Sequence, residues 1–362
     1  MPSSINNRQK RLTDTSTWAA ATDLAAVNLP RDGQITEVTI RANTTATLTA
    51  TALDDWFRRL IQNIRVEGEG IAFLGMSGVQ MSTMLSLWHE TLTGAPTLHS
   101  NGAGIALAGP DVGSATFISV FKWHPGSNPN DPFDLSAVIP AKALSSLQIK
   151  LTTPASGVAD PNGLVTAGTF TYEVNHVLNT RPHMAQKVPV GFTETYTHTG
   201  NLTDFGRKQE VPGGNWLRSI LIRVLDDTGT PAQRRKDDEV TGISLERSLS
   251  SDRLIEANIF EVKQAMAARY GLRGIAGEVG PIGAIATIRP SPVALLNMAP
   301  AGWYLIDLRP YGHPLYGLDL RPPYKTGDLK LGLTIANYAA GDATTIYWDQ
   351  LQDMRPEWVN NW

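Results

Sequence analysis

Ile118-Ser-Val-Phe-Lys-Trp-His-Pro125 and Trp303-Tyr-Leu-Ile-Asp-Leu-Arg-Pro310 decide how this chain is built. Each is a short apolar run with strand composition that closes on a basic residue and a proline. Working outward from them, the same order of segments recurs in both halves. Leu135-Ser-Ala-Val-Ile-Pro140 and Leu147-Gln-Ile-Lys-Leu151 are answered by Gly317-Leu-Asp-Leu-Arg-Pro322 and Leu329-Lys-Leu-Gly-Leu333. A last strand runs from Tyr172 to Arg181-Pro182 in the first half and from Tyr347 to Arg355-Pro356 in the second. Upstream, Trp56 before the Arg59–Val66 segment parallels Trp216 before Ile220–Val224, with Ile64-Arg65-Val66 set against Ile222-Arg223-Val224. Equivalent positions lie about 160 to 185 residues apart, a drift that loop insertions in two copies of one β-fold would produce. The chain reads as a duplicated domain.

Within each half the period-two alternation of half-buried strands dominates. Ile35-Thr-Glu-Val-Thr-Ile-Arg41 is the clearest case, and the Thr-rich run from Thr44 to Thr51 continues it with high β propensity. The 23 prolines and 32 glycines that punctuate these runs fit a sandwich with many turns. Two segments depart from the pattern. Ser77-Gly-Val-Gln80 has capping-box spacing, and Met81, Met84, Leu85, Trp88 and Leu92 follow at helical intervals up to Gly94. Ser251 to Tyr270 keeps a similar spacing through Leu254, Ile255, Ile259, Val262 and Met266 until Gly271. One amphipathic helix is therefore expected in each half. The Gly-containing stretch Glu67-Gly-Glu-Gly-Ile-Ala-Phe-Leu-Gly75 reads as a turn between a strand and the helix beginning near Ser77. The predicted architecture is all-β: an N-terminal arm (1–29), a first sandwich (30–182), a polar link, a second sandwich (190–356) and a C-terminal tail (357–362).

Composition bounds what such a chain can do. The 362 residues suit two domains of ~150 residues each. Charged residues make up 18%, below the ~25% of ordinary soluble domains, which suggests a surface largely covered by partners. A net charge of −3 with no basic domain lacks the footprint of a nucleic-acid binder, so sequence-specific nucleic acid is not an expected partner. Cysteine is absent, which removes disulfide scaffolds, thiolate zinc sites and cysteine nucleophiles. The polar start, Met1 to Arg11, lacks the apolar core of a signal peptide, and a cytoplasmic site of synthesis and use is expected.

Catalytic motifs do not appear. The seven histidines are scattered without metal-ligand spacing, and Glu67-Gly-Glu-Gly70 departs from the dinucleotide fingerprint. No phosphate-loop lysine motif and no nucleophile elbow occur. Acidic pairs such as Asp54-Asp55, Asp226-Asp227 and Asp237-Asp238 cannot be placed across a groove from sequence. No catalytic, cofactor or metal residue is assigned.

Three groups of residues remain as candidates for contact with partners. Arg8, Lys10 and Arg11 could meet an anionic lipid surface, at ~1 kcal/mol per basic residue, multiplied over many copies. Arg234, Arg235, Lys236 and Asp237 mix signs in an apparent long loop and read as an intersubunit contact. Trp358 and Trp362 lie in a polar tail with no core in view and read as anchors in a neighbouring subunit.

Two sandwiches in one chain of this length, each with a helix in the same place, resemble the double jelly-roll major capsid proteins of tailless icosahedral DNA viruses, including bacteriophages with an internal membrane. The resemblance covers residues 30–356 and rests on the order of the repeated segments. It implies two tandem jelly rolls, a homotrimer of pseudo-hexagonal outline, assembly into a virion shell in the host cytoplasm, and vertex and minor capsid proteins as partners. It further implies an inward-facing N-terminal segment, beside the lipid membrane where one is present, and loop insertions at Gly94–Ser114 and Asp226–Val240. No catalytic residue comes with it. Two other readings stand beside it: a carbohydrate-binding or carbohydrate-processing protein on paired jelly rolls, which needs an aromatic groove and facing carboxylates, and a spike or minor capsid component.

Overall fold

The computed structural model describes residues 8–48, 59–88, 99–100, 113–126, 131–157, 164–178, 180–226, 234–235, 239–248, 252–270, 302–309 and 317–360. The first half contributes strands β1 (Arg8–Thr17), β2 (Val27–Asn28), β3 (Gly33–Leu48), β4 (Asn63–Gly68) and β5 (Ile71–Met76), then helix α1 (Gly78–Trp88). Strands β6 (His99–Ser100), β7 (Gly113–Trp123), β8 (Gln148–Thr152) and β9 (Leu164–Leu178) complete it. The second half contributes β10 (Lys187–Thr197), β11 (Leu202–Glu210), β12 (Trp216–Asp226), β13 (Arg234–Arg235), β14 (Val240–Arg247) and β15 (Arg253–Asn258), then helix α2 (Ile259–Tyr270). It ends with β16 (Trp303–Asp307), β17 (Leu318–Asp319), β18 (Leu329–Ile335), β19 (Ala343–Asp353) and the short helix α3 (Pro356–Asn360).

These strands form four sheets. The first half holds a five-stranded sheet in the order β1-β9-β3-β7-β6 and a four-stranded one in the order β2-β8-β4-β5. The second half repeats both orders, as β10-β19-β12 with β16 beside β12, and as β11-β18-β14-β15. Setting aside the two-residue strands β6, β13 and β17, the two halves share one jelly-roll plan of eight strands, in which first and last strands are neighbours, with a helix inserted after the fifth of them. By contact the described residues divide into two compact units. One runs up to Phe192 and resumes at Leu351; the other lies between Thr193 and Gln350.

Alternation sets the faces. In β3, Val38 and Ile40 stand opposite Val174 and Tyr172 of β9, and all four are buried. The facing sheet supplies Ile64 and Val66 of β4, opposite Leu151 and Ile149 of β8. Arg65 and Lys150, one position out of step, are exposed. A one-residue slip would turn every one of these side chains to the wrong face, so the pattern fixes the register. The second unit is built the same way, with Ile243 and Leu245 of β14 opposite Leu333 and Leu331 of β18.

Several sequence expectations need correction. Ile64-Arg65-Val66 and Ile222-Arg223-Val224 are not equivalent: β4 sits in the four-stranded sheet, where its counterpart is β14, while β12 matches β3. The expected helix from Ser251 begins only at Ile259. Residues 253–258 form β15, because they pair with β14 from Gly242↔Asn258 to Glu246↔Arg253, and Leu254 is left 42% exposed. The true helix start is an Asn258–Glu261 capping box, with Glu261 N donating to Asn258 Oδ1 at 3.0 Å and Asn258 N to Glu261 Oε2 at 2.7 Å. For α1 the expected box is present, with Gln80 N donating to Ser77 Oγ at 3.2 Å and Ser77 N to Gln80 Oε1 at 2.8 Å. The stretch Glu67–Gly75 is mostly strand: a tight turn at Glu69 and Gly70 joins β4 to β5, which holds Ile71 to Gly75, instead of a strand to a helix. Its Glu69 and Gly70 take φ of 51° and 78°, the left-handed pair that a tight hairpin needs. Positions 89–94 lie outside the described residues.

The second core encloses the Arg218–Asp349 ion pair. Arg218 is 1% exposed and grips Asp349 with two parallel bonds, Nε to Oδ2 at 2.7 Å and Nη2 to Oδ1 at 2.8 Å, while Ser219 Oγ donates to the same carboxylate. Removing one member strands the other's charge. Asp349→Ala should cost ~3–5 kcal/mol in denaturant unfolding, whereas Lys150→Ala, at an exposed pair, should cost under about 1 kcal/mol.

Candidate functional site

The residues singled out for contact fall in three places. Arg8, Lys10 and Arg11 lie on β1, which the sequence reading assigned to an arm. Instead β1 pairs antiparallel with β9 from Arg8↔Val177 to Thr17↔Thr169, forming the outer edge of the five-stranded sheet. Ten residues there bury no side chain fully, and Leu12 is 60% exposed. Charges along such an edge discourage indiscriminate strand pairing.

Each basic side chain also has a partner in its own chain. Lys10 Nζ stands 2.6 Å from Glu173 Oε2, and Arg41 Nε stands 2.8 Å from Glu173 Oε1. Burial alone would raise the Glu173 carboxyl, but hydrogen bonds from Lys10 and Arg41 outweigh it and hold it below its ordinary value. Arg11 Nη1 lies 3.3 Å from Asp32 Oδ2, and Arg8 stacks 5.5 Å from the centre of the Phe133 ring. Behind Asp32 sits His176, fully buried, its Nδ1 3.4 Å from Asp32 Oδ1 and neither ring nitrogen hydrogen-bonded. Burial pushes His176 below its ordinary value, Arg11 adds to the effect and Asp32 opposes it.

Of the second group, Arg234 and Arg235 form β13 and pair with Asp226 and Leu225 of β12. Their side chains, and Lys236 and Asp237 altogether, lie outside the described residues.

The third group is corrected in part. Trp358 is 2% exposed and sits in α3, which packs on the 3₁₀ turn Ala141–Ala143 of the first unit. Arg355 stacks 4.8 Å from its ring centre, and Arg181 Nε donates to Val359 O at 2.7 Å. The tryptophan is therefore held by its own chain. The signal was present: Pro356 suits the first helical position, and Glu357 favours the first turn. Trp362 lies outside the described residues.

One buried constellation was missed by sequence reasoning. His198 Nδ1 meets Glu239 Oε1, and His198 Nε2 meets Thr344 Oγ1 at 2.7 Å, the relay order of a hydroxyl, imidazole and carboxylate. All three residues are at most 2% exposed, so no substrate reaches the hydroxyl. The cluster ties the end of β10 to β19 and to the start of β14.

Among the described residues, Phe205, Glu256, Asn258, Glu261 and Thr334 line an open hollow, against which the sugar-groove reading can be compared. Phe205 is the one aromatic in its lining, Glu256 pairs with Arg253 at 2.9 Å, and Glu261 caps α2. Its carboxylates are engaged locally rather than facing each other across a substrate. Among the described residues no group of three or more histidine or carboxylate side chains is gathered to hold a metal ion.

No protein-family model matches the sequence, and no curated protein matches it. Solved structures do match, along nearly their whole length. The STIV MCP aligns at a TM-score of 0.68 and 13% identity over 98% of each chain. The double jelly-roll fold is shown. The major capsid protein P2 of bacteriophage PM2 aligns at 0.53 and 11% identity, covering 96% of this chain and 98% of that one. A chain of the PBCV-1 virus capsid aligns at 0.59 and 11% identity, covering 95% and 93%. Across these structures the fold persists while nearly nine residues in ten differ, as expected where burial and alternation, not particular side chains, specify a sandwich.

Two outcomes test the local chemistry. Because the folded chain resists protonating His176 while the unfolded chain takes up the proton near ~6.5, stability should fall as pH drops below that value, and His176→Gln should flatten the fall measured by urea unfolding between pH 7 and pH 5. Trp358→Ala should destabilise the isolated chain by ~3–5 kcal/mol; unchanged stability would return Trp358 to an intersubunit role.

Proposed function

We propose that this chain is the major coat protein of an icosahedral virion. The observation that carries the reading is the duplication: two jelly rolls of matching strand order occupy one chain, and the solved structures that match it end to end include proteins described as major capsid proteins. Physically, duplication lets three chains present six similar lobes, so that one trimer fills a position of approximate sixfold symmetry in a closed shell. The activity is assembly. Stable association needs about 1,200–2,000 Å² of buried surface per contact, and repetition over a shell lets modest contacts between trimers add up.

On this reading the N-terminal strand lies toward the interior. Arg8, Lys10 and Arg11 would meet lipid head groups where a membrane is present, adding to their ties to Phe133, Glu173 and Asp32. Vertex and minor capsid proteins would be the other partners, and the work involves no catalysis.

Light scattering of the purified protein, followed by negative-stain imaging, checks the proposal. A particle of three times 39.2 kDa with a hexagonal outline is expected. A stable monomer whose melting temperature rises with added oligosaccharide would overturn it in favour of a carbohydrate-binding role.

A further inference from the structure

Among the described residues, the duplicated fold contains a strand pairing that occurs in the first jelly roll and not in the second. In the first jelly roll, the segment Ser136–Ile139 runs along the start of β3, with Ile35 and Ile139 exchanging both backbone hydrogen bonds at 2.9 and 3.0 Å. Its other edge takes the start of β10, the first strand of the second jelly roll. Val138 N donates to Lys187 O at 2.9 Å, Lys187 N donates to Ser136 O at 3.1 Å, and Ala137 and Lys187 form a parallel bridge. Lys187 belongs by contact to the first unit, so this pairing is part of that unit's own structure.

The second jelly roll repeats the first half of the arrangement. Leu320 exchanges bonds with Asn215 O and Gly214 N at 3.0 and 2.7 Å beside the start of β12, which makes Leu320 the counterpart of Ile139 and Leu318 the counterpart of Ala137. The position before Leu318 approaches β12 so closely that a Cβ on Gly317 would stand 1.8 Å from Leu217 O. Among the described residues β17 pairs with β12 alone, and β1, the counterpart of β10, pairs with β9 alone.

Exposure follows the same division. Where the pairing is made, Ala137, Val138, Ile139 and Val188 are at most 1% exposed and Lys187 is 7% exposed. At the counterparts, residues 317–319 are half-buried, Pro322 to Thr326 are exposed, and the first five residues of β1 are exposed throughout. Each copy therefore carries one segment and one strand that match each other as Ala137 and Lys187 do, the segment half-buried and the strand exposed.

We propose that β17 of one copy adds in parallel to the start of β1 of a second copy, repeating between chains the pairing that Ala137 and Lys187 make within one. The contact is heterologous, joining different surfaces of the two partners, and such contacts build closed rings when the rotation between copies closes. It rests on the coat-protein reading, and supplies the surface through which three copies join. The edge of β1, charged and unattractive to arbitrary strands, is then covered by one specific backbone segment, in the manner of strand addition.

Because the chain has no cysteine, engineered pairs give an unambiguous test. Directly bridged residues lie within the 4.4–6.8 Å Cα separation that a disulfide spans. Ala137→Cys with Lys187→Cys should close within one chain and serves as the positive control. Leu318→Cys combined with Arg8→Cys, or with Lys10→Cys, should give covalent species of two and three chains on oxidation, read on a non-reducing gel with light scattering of the same sample. Mixing the Leu318→Cys and Arg8→Cys single variants should stop at two chains, and this mixture makes the same test if a double variant does not fold. A trimer that yields no interchain bond from either pair overturns the inference and leaves the coat-protein reading standing. A protein that remains monomeric overturns both.

Discussion

The interaction on which everything else depends is the ladder between the third and last strands of each sandwich. In the first half, β3 and β9 pair from Gly33↔Leu178 to Thr47↔Leu164, joining segments well over a hundred positions apart. Once made, this ladder carries β1 on one side and β7 on the other, and its inner face sets the register in which Val38, Ile40, Tyr172 and Val174 meet the facing sheet. Closing so long a loop costs entropy before any contact rewards it, so the alternation of apolar residues has to be strong in both strands. It is, and it is repeated in β12 and β19, where Ile220, Ile222, Ile346 and Trp348 are all fully buried.

Much of this was legible. Period-two alternation revealed β3, β4, β8 and β18, and the capping box at Ser77 located the start of α1 to within a residue. The repeat announced two copies of one fold because the segments recurred in order. What failed was local resemblance taken singly. Ile-Arg-Val occurs in both β4 and β12 because any half-buried strand favours apolar residues flanking a polar one, and the likeness carried no information about position in the sheet. The stretch before Ile259 has a helical spacing that pairing with β14 overrides, a case of long-range contact deciding against local pattern. Trp358 was misread because its seat is supplied by residues more than two hundred positions earlier, at Ala141–Ala143.

The candidate site was harder to read than the fold. Basic residues on β1 could be named from sequence, but not their engagement with Glu173 and Asp32, which depends on strand order. The His198, Glu239 and Thr344 cluster has no sequence signature at all, since its members stand 41 and 146 positions from the histidine. All three lie out of water, and a polar group so placed needs partners, which the histidine finds in the other two.

The seat of Trp358 also has a consequence for the order in which the molecule can be finished on the ribosome. The body of the first unit is translated first, yet two of its pieces, the end of β19 and helix α3, are made only after the second unit. Until they do, the pocket against the 3₁₀ turn stays empty and apolar surface remains bare, even though the strands around it are complete. A chain stopped anywhere within the second unit therefore lacks part of the first, and burial of the first-made half is completed only after the second unit has been made.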